Sequence, residues 1–97
     1  MNITYRVDKE ILYIAMEGRI DASNAAAAGE SIFAIRDEHK GKHVVIDAEM
    51  LEYISSAGLR VILKLRKEEP QLAIINVSPE VYEVFDMTGF ADILVIE

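Results

Sequence analysis

The chain contains no cysteine. That excludes a disulfide framework, a thiolate zinc site and a cysteine nucleophile, and it fits a reducing compartment. An excess of positive charge is also missing. Ten Lys and Arg stand against 17 Asp and Glu, giving a formal net charge of -7 and a pI near 4.8. A nucleic-acid binder needs a basic face to displace counterions, and docking on an anionic membrane needs the same, so both classes are disfavoured. No apolar run approaches the roughly 18–20 residues that cross a bilayer. The start, Met1 to Arg6, lacks the basic and apolar regions of a secretory signal, and a cytoplasmic location is expected. The five glycines are scattered, and none falls in a phosphate-cradling G-x-x-x-x-G-K-[ST] or G-x-G-x-x-G setting.

What is present suits one globular domain over residues 1–97, at 52% hydrophobic and 28% charged. Ile3, Tyr5 and Val7 alternate with Thr4 and Arg6, the period-2 pattern of a half-buried strand. After Asp8-Lys9-Glu10, a short hairpin turn, residues 11–17 read as an interior strand ended by Gly18. An alanine-rich segment then predicts a helix, with Asp21 or Ser23 able to cap it. Ala25, Ala28, Ile32 and Ile35 share its buried face, and Gly41 can supply a left-handed turn beyond it. Val44-Val45-Ile46 is a β-branched strand. An acidic connector, 47–52, leads to a second helix with Leu59, Ile62 and Leu63 as its apolar stripe, extended by Val61 and Leu65. Residues 71–77 predict a strand, Ser78-Pro79-Glu80 a capped helix start, and residues 93–96 a last strand. The order β-β-α-β-α-β-α-β predicts an α/β fold: a mixed, mostly parallel sheet of about five strands, with one antiparallel edge strand and three helices mainly on one face.

Catalytic and metal constellations are poorly supported. Ser55-Ser56-Ala57-Gly58 lacks the first glycine of a nucleophile elbow. His39 and His43 flank Lys40-Gly41-Lys42 in a polar setting and read as solvated loop residues. Asp21 and Asp47 lie at element ends and are most simply caps. No enzyme, no metal site and no cofactor are expected. Ser55-Ser56 stands out instead, because two adjacent hydroxyls precede an apolar helix. One serine can cap that helix, and the helix N-terminus also tolerates a phosphate.

Tyr53-Ile54-Ser55-Ser56-Ala57-Gly58-Leu59-Arg60-Val61-Ile62-Leu63 resembles the signature of STAS domains, specifically the bacterial anti-sigma factor antagonists. Three further segments agree: Gly18-Arg19-Ile20-Asp21, Val44-Val45-Ile46-Asp47, and Ser78-Pro79 followed by Phe85-Asp86-Met87-Thr88-Gly89. The resemblance covers nearly the whole chain in the family's order. It implies a partner switch in the regulation of transcription. The unphosphorylated antagonist binds an anti-sigma factor that is also a serine kinase, and so frees a sigma factor. The kinase phosphorylates the antagonist and releases it, and a serine phosphatase resets the cycle.

By position, the resemblance makes Ser56 the phosphorylation site, with Ser55 as runner-up. It places partner binding on Asp21, Ser55, Ser56, Ala57, Gly58, Leu59 and Arg60. Ser55 stands where many members carry aspartate, which offers a kinase a second acceptor. Many members also continue into a C-terminal helix. Without such a helix, the apolar surface it would cover is expected to meet a homodimer partner or a neighbouring protein. The alternative reading is a non-switching STAS interaction subunit of a lipid-transport or signalling assembly, in which Ser55-Ser56 only caps the helix.

Overall fold

The computed structural model describes residues 1–97. Strand β1 (Asn2–Asp8) turns at Lys9-Glu10 into β2 (Ile11–Ile20), and the two pair antiparallel. Lys9 takes a positive φ of 56° in that tight turn. Helix α1 (Ala25–Glu38) precedes β3 (His43–Asp47), which pairs parallel with β2. A short strand, β4 (Leu51–Ile54), enters α2 (Ser56–Glu68). Strand β5 (Ala73–Ile75), helix α3 (Pro79–Met87), a 3-10 turn (Phe90–Asp92) and β6 (Val95–Ile96) complete the chain. The main sheet runs β1-β2-β3-β5-β6, antiparallel at β1 and parallel elsewhere. This is the expected mixed α/β architecture.

Two features differ from the sequence-based expectation, and they have one cause. Gly18 does not end β2. It takes φ +84°, a left-handed value that glycine adopts without a Cβ penalty, and the register shifts between Gly18 and Arg19. The strand bends there and continues to Ile20. Its first half pairs with β3 through Ile11–Ala15, and its last three residues pair with β4. The end of the acidic connector, Leu51-Glu52, together with Tyr53-Ile54 is therefore a sixth strand rather than a loop. Leu51 and Ile54 are buried while Glu52 and Tyr53 are exposed, so no period-2 alternation announces it.

Other expected elements shrink in the structure. The strand over 71–77 is Ala73–Ile75, and the last strand is Val95–Ile96, because Phe90–Asp92 tightens into a 3-10 turn. In β1, Tyr5 is 50% and Val7 42% exposed, leaving Ile3 as the residue that reaches the core. On α1, Ala25, Ala28, Gly29 and Ile32 are buried while Ile35 is partly so. On α2, Leu59, Ile62 and Leu65 of the expected stripe are buried, while Val61 and Leu63 are only partly so.

One continuous cluster of 20 buried residues fills the space between sheet and helices. It takes Leu12, Ile14 and Met16 from β2, Val44 and Ile46 from β3, and Ile74 from β5. The helices contribute Ile32, Leu59, Ile62, Leu65, Val81 and Phe85. All three helices thus feed the same side of the sheet, as right-handed crossovers require. Val45 and Ala73 are buried outside this cluster, on the alternate strand positions that face the other way. On that second face Arg6 lies over the Tyr13 ring, 3.8 Å from its centroid.

Candidate functional site at the start of the second helix

The parallel strands all end on the side of the molecule where the helices begin. In open α/β sheets this rim, outside the carboxyl ends of the strands, is where ligands and partners gather. Here it is built by two connections. The Ser55 N–H donates to the Ile20 carbonyl at 2.8 Å, and the Gly18 N–H donates to the Met50 carbonyl at 2.8 Å. The bent end of β2 therefore sits beside the entry to α2, which brings Asp21 and Ser55 to one place.

Ser55 is the N-cap of α2. Its φ and ψ of -89° and 175° are extended, its Oγ accepts from the Gly58 N–H at 3.4 Å, and its carbonyl accepts from the Leu59 N–H at 2.9 Å. Ser56 is the first helical residue and is exposed. The pair thus divides its work: one hydroxyl closes the helix end and the other faces solvent beside a helix terminus carrying partial positive charge. Ala57 is partly buried, and Arg60 is exposed one turn further along.

Gly58 and Leu59 are buried. A Cβ on Gly58 would stand 2.6 Å from Ile54 Cγ1 and 2.9 Å from Ile20 Cγ2. Glycine is thus required by close approach of α2 to the ends of β2 and β4, beneath the serines. Leu59 anchors the same turn in the core.

Asp21 does not cap α1. That helix begins at Ala25 after Asn24, which makes no side-chain cap bond. Asp21 instead closes the preceding turn: its carboxylate accepts from the Ser23 N–H at 2.9 Å and from the Ser23 hydroxyl. Asn24 closes the loop from the other side, accepting from the Asp21 N–H and donating to the Arg19 carbonyl, both at 2.9 Å. The Ser23 hydroxyl bond, followed by the Ser23 N–H, holds the Asp21 carboxyl below its ordinary value of 3.8. Asp47 is likewise a turn-closer and not a helix cap. Its Oδ1 accepts from the Glu49 N–H at 3.0 Å and from Asn76 Nδ2 at 3.1 Å, joining the loop after β3 to the loop after β5.

Sequence reasoning missed Arg19 and Tyr53 as a pair. They are register partners across β2 and β4, and the Arg19 guanidinium lies 4.4 Å from the Tyr53 ring centroid. Only knowledge of β4 brings them together. The histidines also differ from free loop residues. His39 Nδ1 is 2.8 Å from the Ile35 carbonyl and its ring packs 4.9 Å from Tyr5, while His43 Nε2 is 2.9 Å from the Gln71 carbonyl.

Neither serine lines a cavity. A groove of about 310 Å³ lies between α1 and α2, bounded by Ala26, Phe33, Val61 and Lys64. Three other depressions are lined elsewhere. Ser56 therefore sits on an open rim, a shape that meets a macromolecular surface more readily than it encloses a small substrate.

This constellation, a bent strand and a serine-capped helix on a one-sided mixed sheet, defines an α/β domain of the STAS type. Residues 2–97 match the STAS domain family, and the chain belongs to it. BtrV of Bordetella bronchiseptica, named as an anti-sigma factor antagonist, is 34% identical over 97 residues, covering 96% of this chain and 83% of that protein. The anti-sigma-B factor antagonist of Listeria monocytogenes is 28% identical over 104 residues, covering 100% of this chain and 90% of its own. Among solved structures, the unphosphorylated form of the anti-sigma factor antagonist SpoIIAA superposes with a TM-score of 0.76 at 19% identity, covering 99% of this chain and 88% of that one. At that identity the likeness concerns the fold.

Proposed function

We propose that this chain is an anti-sigma factor antagonist, a partner-switching regulator of transcription whose binding is controlled by phosphorylation of Ser56. The observation that carries the reading is the division between the two serines: Ser55 accepts the helix N–H bond while Ser56 stands exposed beside it. The names of the relatives BtrV and the Listeria antagonist point the same way.

The chemistry asked of this chain is modest. The Ser56 Oγ attacks the γ-phosphorus of a nucleotide held by an anti-sigma kinase, loses its proton, and the nucleoside diphosphate leaves. The kinase supplies the catalysis and this chain supplies the nucleophile on a rigid helix start. The phosphate adds about -1.5 to -2 charge at neutral pH. The helix terminus tolerates it locally, whereas a partner surface pressed against the same hydroxyl must desolvate it and faces the bound nucleotide's own phosphates. Asp21, Ser55, Ser56, Ala57 and Arg60 form the rim the partner meets, with Gly58 and Leu59 holding it from beneath. The anti-sigma kinase is the partner, a serine phosphatase the reset, and the cytoplasm the place of action. No helix is long and apolar enough to cross a membrane.

The test is to incubate the protein with an anti-sigma kinase from the same genome and ATP, then locate phosphate by mass spectrometry. Phosphate on Ser56, abolished in Ser56→Ala and retained in Ser55→Ala, is expected. Modification of Ser55 alone, or of neither serine, would overturn the assignment.

A further inference from the structure

The net charge of this protein is confined to its last third. Residues 1–67 hold all ten Lys and Arg and ten of the 17 acids, so they balance. Residues 68–97 hold seven acids and no Lys, Arg or His. Two of the seven, Glu68 and Glu69, are spent on Arg36 at 2.9 and 2.7 Å. The remainder begin on α3, which packs on β4 through Val81 and Phe85 and turns its other side outward.

That outward side is not uniformly polar. At 100° per residue, Glu83 and Asp86 lie near its middle, with Tyr82 on one flank and Met87 on the other. Met87 is 84% exposed, the highest value among the large apolar residues, and Tyr82 is 43% exposed. Exposed Met and Tyr are well suited to binding: the thioether adapts to irregular surfaces, and tyrosine is a recurrent interface anchor.

We propose that the outer face of α3 is a second docking surface, and that its occupant is a cationic amphipathic helix of a partner protein. The apolar strip of such a helix would cover Met87 and Tyr82 while its Lys or Arg residues meet Glu83 and Asp86. Charge decides against the other occupants. A second copy would bring Glu83 and Asp86 against their own like charges, which disfavours pairing. An anionic membrane and a nucleic acid are repelled by the same acids. The proposed contact residues include neither Ser55 nor Ser56 and the contact needs no phosphate, so it is tested independently of the switch.

The test uses the whole unphosphorylated protein and two synthetic Lys/Leu peptides of about 18 residues. One has Leu at helical spacing, and the other has the same composition scrambled to remove its apolar face. Titration followed by amide chemical shifts should move Tyr82, Glu83, Asp86 and Met87 with the first peptide and bind the second about tenfold more weakly. The double change Tyr82→Ser and Met87→Ser, which leaves every charge in place, should weaken the first peptide by about tenfold. Glu83→Gln with Asp86→Gln should do the same, with unchanged thermal melting certifying the fold of each variant. Equal binding of both peptides, shifts centred on the open sheet face at Tyr13, Ala15 and Ile75, or indifference to either double change would overturn the proposal.

Discussion

Ser55 and Ser56 are chemically identical and separated by one peptide unit, yet their surroundings assign them different tasks. Ser55 satisfies a helix N–H that would otherwise have no partner. Ser55→Ala should therefore cost about 1 kcal/mol of folding stability, and Ser56→Ala less than about 0.5 kcal/mol. Urea unfolding of both variants beside the parent measures this, and equal losses would contradict the division. Asp21 gives a residue-scale prediction in pH. Its folded-state carboxyl titrates below the ordinary value of 3.8 because the Ser23 hydroxyl and N–H bond its charged form. The stabilisation is thus fully present above pH 3.8 and is lost as pH falls through the lower, folded value. The Ser23 and Asn24 amide signals should shift in that acid range, and Asp21→Asn should abolish the transition.

At the scale of elements, the site depends on how closely α2 approaches the bend in β2. Gly58 sets that distance, since any Cβ meets Ile54 and Ile20 below 3 Å. These contacts are with packed branches of buried side chains, so relief must shift the helix start or the strand ends. Gly58→Ala should cost about 1–3 kcal/mol. Calorimetry should record a melting temperature lower by roughly 4–8 °C for each kcal/mol. A variant that melts like the parent would show the contact to be slack.

Most of the elements were legible in the sequence because their apolar residues recur at helix or strand period and their caps are standard. Ser78-Pro79 is one such start, and its hydroxyl does accept the Val81 N–H at 3.2 Å. The family motif around Ser55-Ser56 was legible too. Strand β4 was not, since four residues with a buried-exposed-exposed-buried pattern carry no period-2 signal. The role of Gly18 followed it into obscurity. A glycine after a strand reads as a terminator, and only the pairing of Arg19 with Tyr53 reveals a bulge. The side chains that close the Asp21 and Asp47 turns were hidden for a related reason. Their partners Ser23 and Asn24 are local, but Asn76 lies 29 residues from Asp47 and meets it only in the fold.

At the scale of the whole molecule, the proposed switch is a change of charge rather than of shape. All three helices share one core with the sheet, and α2 is held at its start by Gly58 and Leu59. A phosphate on Ser56 would be added outside that core. The proposed switch would therefore need no refolding and would act through the difference in partner affinity between the two forms. The most direct measurement is the dissociation constant for an anti-sigma factor of the same genome, compared between the unmodified protein and protein with phosphoserine installed at position 56. The account predicts binding weaker by about 5- to 150-fold in the phosphorylated form, a coupling of about 1–3 kcal/mol, with unchanged circular dichroism. Equal affinity of the two forms would contradict it.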